Sequence, residues 1–175
     1  MSDLWPNIYT RISHDLSGLS GSIFNGTELL LDDSSPEVVL MLQNATSHLI
    51  ARLKFFRQTF GLQNKNDKDT TADYLSTLSI PVRLEGTPNN ALERALCMVL
   101  ADTLPQGGTI RLEGATLTAQ GPAIKTLALS FLDKGEGELS PQTAVALFAY
   151  ETAKQQQIRL AVTTADTSVQ IQMKR

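Results

Sequence analysis

The sequence predicts an α+β protein: a long N-terminal helical hairpin, then a smaller layer of helices against a largely antiparallel sheet. Three observations carry that class. Apolar residues up to Phe60 recur at helical spacing. A stretch without any apolar residue, Gln63 to Thr71, then interrupts the pattern. The chain closes on two alternating segments, Ile158 to Thr163 and Ser168 to Met173, which read as strands. The polar stretch divides the chain into expected domains 1–63 and 72–175, a division that 175 residues readily support.

The first helix is expected from about Pro6 to Leu31, breaking at Asp32-Asp33-Ser34-Ser35. Ile12, Leu16, Leu19, Ile23 and Leu30 form its seam, with steps of four, three, four and seven. The second helix is expected from Pro36, behind Ser35 as N-cap, to Phe60, with Gly61 as its stop. Val38, Leu42, Ala45, Leu49, Leu53, Phe56 and Phe60 keep its spacing, and Lys54 and Arg57 suit its C-terminal dipole. Two such helices cannot cover their own stripes. They must pack on the other domain or pair with a second copy; the long continuous stripes favour the second, a dimeric four-helix bundle.

Beyond the joint, Ile80 to Glu85 reads as a strand that Pro81 confines to an edge. Ala91 to Leu104 is helical and closes at Pro105-Gln106-Gly107-Gly108. Thr109 to Glu113 is a strand and Ile124 to Leu132 a second candidate. A further helix begins at Ser140-Pro141. Helices segregated against one sheet make an α/β sandwich.

Composition narrows the function classes. Hydrophobic residues at 42% and charged residues at 19% describe a soluble globular chain, and a net charge of −3 argues against nucleic acid. Cys97, the one cysteine, can form no internal disulfide. The start of the chain lacks a secretory pattern, and the longest apolar run, Ala95 to Ala101, cannot span a bilayer. No membrane role and a cytoplasmic location are expected.

The most informative residue is His14, followed directly by Asp15. With Ile12 at a d position of the heptad, His14 falls at f, farthest from the seam. A basic imidazole is thus held toward solvent on a stiff helix, with Ser17, Gly18, Gly21 and Asn25 beside it. Two helical glycines each cost about 1 kcal/mol relative to alanine, a cost that a cleared landing area for a partner would explain. Close helix packing is the competing reading for Gly18 and Gly21. His48, beside the second seam, reads as structural, Cys97 as core and Trp5 as an anchor at the bundle end.

The run His14-Asp15-Leu16, Gly21-Ser22-Ile23 and Asn25-Gly26-Thr27-Glu28-Leu29-Leu30 resembles the ChpT-type histidine phosphotransferases of bacterial phosphorelays. Arg52-Leu53-Lys54-Phe55-Phe56-Arg57 with Phe60-Gly61 is similar to the end of that family's second helix. Gly107-Gly108 and Gly121-Pro122 extend the likeness more weakly. Leu19 replaces a proline common in the family, which should straighten the helix.

The resemblance implies a homodimer built like the dimerisation domain of sensor kinases, with a second domain like a degenerate kinase ATP-binding domain. It also implies transfer of phosphoryl groups between receiver domains of a hybrid histidine kinase and of response regulators. His14 would be the acceptor, with Arg11, Ser17, Gly18, Gly21 and Asn25 at the docking face; Asp15 is read either as orienting the imidazole or tuning its basicity, or as a solvated helix charge. Imidazole is largely neutral near physiological pH and so is a ready nucleophile. The chain would need no cofactor of its own, since Mg2+ belongs to the receiver.

One motif points elsewhere. Asp133-Lys134-Gly135-Glu136-Gly137 matches the Asp-x-Gly-x-Gly with which kinase domains contact adenine, after an expected strand. Ala91 to Leu104, however, holds no asparagine for magnesium, and no glycine-rich lid follows Gly137. The pocket is therefore read as vestigial. A minimal ATP-binding histidine kinase and a non-catalytic dimeric adaptor stand as the alternatives.

Overall fold

The computed structural model describes residues 3–32, 34–61 and 68–175. Asp33 of the expected helix break and Gln63 to Asp67 of the expected joint lie outside the described residues.

The two amphipathic patterns form α1 (Leu4–Asp32) and α2 (Pro36–Phe60), with Pro36 in the first turn of α2 and Ser35 at its N-cap. The Gly61 N–H closes α2 on the Arg57 carbonyl at 2.9 Å. Leu42 faces Gly26, whereas Arg52 reaches Asp15, so the helices run antiparallel. The missing d residue between Ile23 and Leu30 is Gly26. It is buried, and a Cβ there would lie 2.6 Å from Leu42 Cδ2.

The next elements are α3 (Thr71–Ser76), β1 (Val82–Glu85), α4 (Ala91–Asp102), β2 (Gly108–Glu113) and β3 (Thr116–Gln120). After them come α5 (Leu129–Lys134), α6 (Ala144–Gln155), β4 (Arg159–Ala165) and β5 (Ser168–Lys174). Among the described residues the strands form one mixed sheet ordered β1-β2-β3-β5-β4. β1 runs parallel to β2, and every other pairing is antiparallel. β1 is an edge strand, where the proline before it deprives no neighbour of a ladder donor.

Strand alternation sends Ile110, Leu117, Ala119, Val169 and Ile171 into the core, while Arg111, Gln170 and Gln172 face water. α4 covers that core and is buried throughout Leu92 to Ala101. Its start is a capping box: the Asn90 side chain accepts the Glu93 N–H at 2.9 Å, and Glu93 Oε2 accepts the Asn89 N–H at 2.7 Å. α6 presents Ala144, Ala146, Ala149 and Ala153, small residues that permit close approach.

An aromatic seam joins the base of the hairpin to these layers. Phe55 stacks on Tyr74 of α3 at 4.0 Å, and Phe60 meets Phe148 of α6 edge-on at 5.0 Å. Trp5 also packs on Phe148 at 6.0 Å.

One expectation is corrected. Ile124 to Leu132 is not a strand but an irregular segment leading into α5. The Lys125 N–H bonds the Thr103 carbonyl at 2.9 Å, and Leu129 and Leu132, one helical turn apart, turn inward together. The antiparallel neighbour of β2 is β3, a strand not expected from the sequence; its Thr-Leu-Thr-Ala-Gln pattern buries only Leu117 and Ala119 and so reads weakly. The end of the polar joint is also ordered. Thr70 Oγ1 donates to Gln58 Oε1 at 2.8 Å, and Asp69 accepts from Thr71 and, at 2.8 Å, from Arg94. Polar residues here replace solvent with a buried hydrogen-bond network, which hydropathy cannot distinguish from a loop.

Candidate functional site

The periodicity of α1 decides where His14 stands. Ile8 is fully buried and Ile12 and Leu16 are half-buried on the seam, so residue 14 points the other way. The His14 side chain is 87% exposed. Asp15, one residue on, is only 15% exposed, and its Oδ1 lies 3.7 Å from His14 Nδ1. Nδ1 is thus the ring nitrogen beside the Asp15 carboxylate.

Asp15 is held at both ends. Arg52 of α2 donates from Nη1 to the Asp15 carbonyl at 3.0 Å while Nε and Nη2 bond Thr77, after α3, at 3.0 and 2.9 Å. Arg11, one turn before Asp15, donates from Nε to Asp15 Oδ2 at 3.0 Å. Its two terminal nitrogens form a two-pronged bond to Asp102 at the end of α4, at 3.0 and 3.1 Å. Burial works against the Arg11 charge, but Asp102 and Asp15 outweigh it and hold the guanidinium above its ordinary value. Beneath it, burial and the Asp102 carboxylate push the Tyr74 phenol up.

These residues open onto a cleft of about 670 Å³ between α1 and the segments before α5 and α6. Its walls include Arg11, His14 and Asp15 from the hairpin and Asp102, Lys125 and Gln142 from the other side. The exposed side chain of Leu127 stands at its wall.

The expected docking residues divide. Ser17, Gly18, Gly21 and Asn25 are exposed on α1, and a Cβ built on either glycine meets nothing within 4 Å. Within this chain neither glycine serves close packing; Gly26 does. Arg11, by contrast, is 15% exposed and turned into the carboxylate network rather than outward. His48 is half-buried, and Cys97 is fully buried. The Asp133–Gly137 motif begins in the last turn of α5 and does not follow the expected strand. Gly135 takes φ of 70° to end α5, its N–H bonding the Phe131 carbonyl at 2.9 Å.

Asp102, Lys125 and Arg52 escaped notice as site residues in the sequence. Asp102 lies 91 positions from Arg11, and a lone carboxylate at a helix end carries no local signal of its partner. The one readable hint was chemical: Arg11 and Asp15 are four apart, so they share a helix face.

No family model matches the chain. It is 28% identical to the protein phosphotransferase ChpT of Brucella abortus strain 2308, over 65% of this chain and 62% of that protein. The chain thus spans less than two thirds of the length of the curated relative it matches. A solved structure of a bacterial phosphotransferase shares the fold, with a TM-score of 0.79 at 20% identity, over 99% of this chain and 97% of that one. In sequence the chain is thus similar to a ChpT phosphotransferase, the family its N-terminal motif resembles, and in fold to a bacterial phosphotransferase.

Proposed function

We propose that the chain is a histidine phosphotransferase that shuttles phosphoryl groups between receiver-domain aspartates through His14. The observation that carries this is an almost fully exposed imidazole on a long helix, with the Asp15 carboxylate 3.7 Å from Nδ1. Asp15 orients the ring. Nε2 attacks phosphorus in line with the acyl-phosphate bond of the receiver; the N–P bond forms as the O–P bond breaks, and the electron pair leaves on the receiver carboxylate. The reverse step returns the group to a second receiver. Mg2+ is held by the receiver, and the work takes place in the cytoplasm.

Receivers land on α1 beside His14, over Ser17, Gly18, Gly21 and Asn25. The active form is a homodimer in which the hairpins of two copies form a four-helix bundle. Support comes from Phe24, Leu31, Leu40, Met41, Ile50 and Leu53, which lie exposed along α1 and α2. The remaining layers descend from a kinase ATP-binding domain and no longer bind nucleotide. Gly135 of the Asp133–Gly137 motif serves as a helix stop, and no helix of the described residues is long and apolar enough to cross a membrane.

The test is incubation with a receiver domain charged by acetyl phosphate. Acid-labile phosphate appears on the wild-type chain and is absent from His14→Ala, whose melting temperature is unchanged. Label on His14→Ala equal to wild type would refute the reading.

A further inference from the structure

We infer that Asp102, on α4, is a positioning residue for the phosphoryl acceptor, acting on His14 through Arg11 and Asp15. The inference rests on the phosphotransfer reading of His14 and assigns a part in it to the layers beyond the hairpin.

The geometry is a chain of three contacts. Asp102 grips both terminal nitrogens of Arg11 at 3.0 and 3.1 Å, which fixes the plane of the guanidinium. Held so, Arg11 Nε meets Asp15 Oδ2 at 3.0 Å. The other Asp15 oxygen is thereby left toward His14 Nδ1, at 3.7 Å. Without Asp102 the guanidinium would be free to turn both terminal nitrogens onto Asp15. The carboxylate would then rotate away from the imidazole, because its two oxygens match a two-pronged arginine.

Charge leads to the same assignment. Arg11 faces two carboxylates, Asp15 and Asp102, and Lys125 approaches Asp102 from the cleft wall. Asp102 thus shares Arg11 with Asp15 instead of leaving it wholly to that carboxylate. Arg52 holds the Asp15 backbone independently of this network. The helix therefore keeps one tie that does not involve Asp102, whereas the direction of the Asp15 carboxylate depends on it. In the transfer step, the receiver O–P bond breaks and the His14 N–P bond forms. Asp102 touches neither; it sets the group that orients the nucleophile.

The experiment measures phosphoryl acceptance from a charged receiver across receiver concentrations for wild type, Asp102→Asn, Asp102→Glu, Asp15→Asn and Asp15→Asn/Asp102→Asn. Asp102→Asn is expected to lower the saturating rate about tenfold, since misorientation at the nucleophile is paid in the chemical step. The half-saturating receiver concentration should stay within about twofold, and Asp102→Glu should restore most of the rate. On the Asp15→Asn background the same change should cost nothing further, because the two residues act in series. Three results would overturn the inference: an unchanged saturating rate, a loss confined to half-saturation, or a loss that adds in full to that of Asp15→Asn. Should Asp102→Asn fail to fold, Arg11→Lys carries the same expectations, keeping the charge without the two-pronged bond. Wild type itself defines a separate outcome. If it takes no label, the phosphotransfer reading fails; if it labels and Asp102→Asn matches it, only the role of Asp102 is lost.

Discussion

Cys97 illustrates what burial does to a single side chain. It sits in α4, fully enclosed, and burial, aided by the Asp69 and Glu93 carboxylates, pushes its thiol up from an ordinary value of 9.0. The folded protein therefore holds this proton more tightly than the unfolded chain does. That contribution to stability is complete below pH 9 and drains away as pH rises beyond it, by about 1.4 kcal/mol per pH unit for one proton. Urea unfolding from pH 8 to 10.5 should show a flatter decline for Cys97→Ala than for wild type, with a constant offset below pH 8. Iodoacetamide at pH 8 should label the thiol only after denaturation. That Cys97 is core was readable from the apolar helix around it. The Arg11–Asp102 pair was not, because pattern reports which way a side chain points and not what stands opposite.

The helices separate glycines by task. Gly18 and Gly21 look into open space, so alanine at either should stabilise α1 by about 1 kcal/mol, the difference in helix propensity. Thermal melts should show the gain, and the receiver transfer assay should show slower acceptance at subsaturating receiver if the landing area needs those gaps. Gly26 behaves oppositely. Leucine there would drive into Leu42 and Met41 and should cost about 1–3 kcal/mol by denaturant unfolding. From sequence, all three glycines share the same propensity penalty and the heptad sets only Gly26 on the seam; the contact with Leu42 and Met41 shows what that position does. Element types carried by strong periodicity were legible to within a few residues: α2 is observed over the expected range, and α1 begins two residues earlier. The failures fell where pattern is weak. Ile124 to Leu132 is apolar enough for a strand, yet its position is set by a hydrogen bond to Thr103.

At the scale of the molecule, the hairpin is tied to the sheet layers by aromatic packing and by arginines. Phe55→Ala, which empties the stack on Tyr74, should cost about 3–5 kcal/mol. Arg52→Ala would leave the Thr77 carbonyl and the Asp15 carbonyl without that donor and should loosen α1 from α3, read as faster amide exchange around Asp15. The exposed apolar face of the hairpin should appear in light scattering as a dimer mass, and Leu40→Glu with Leu53→Glu should return a monomer.

Sequence alone determined the two long helices, the outward placement of His14 and the closing pair of strands. Each follows from a local repeat, because the apolar period sets which face is buried. The tertiary structure decided the rest: which strand pairs with β2, which glycine lets the helices touch, and the carboxylate that grips Arg11 across 91 residues of chain. Those outcomes depend on contacts between distant segments, and such contacts leave no periodic trace in either segment by itself.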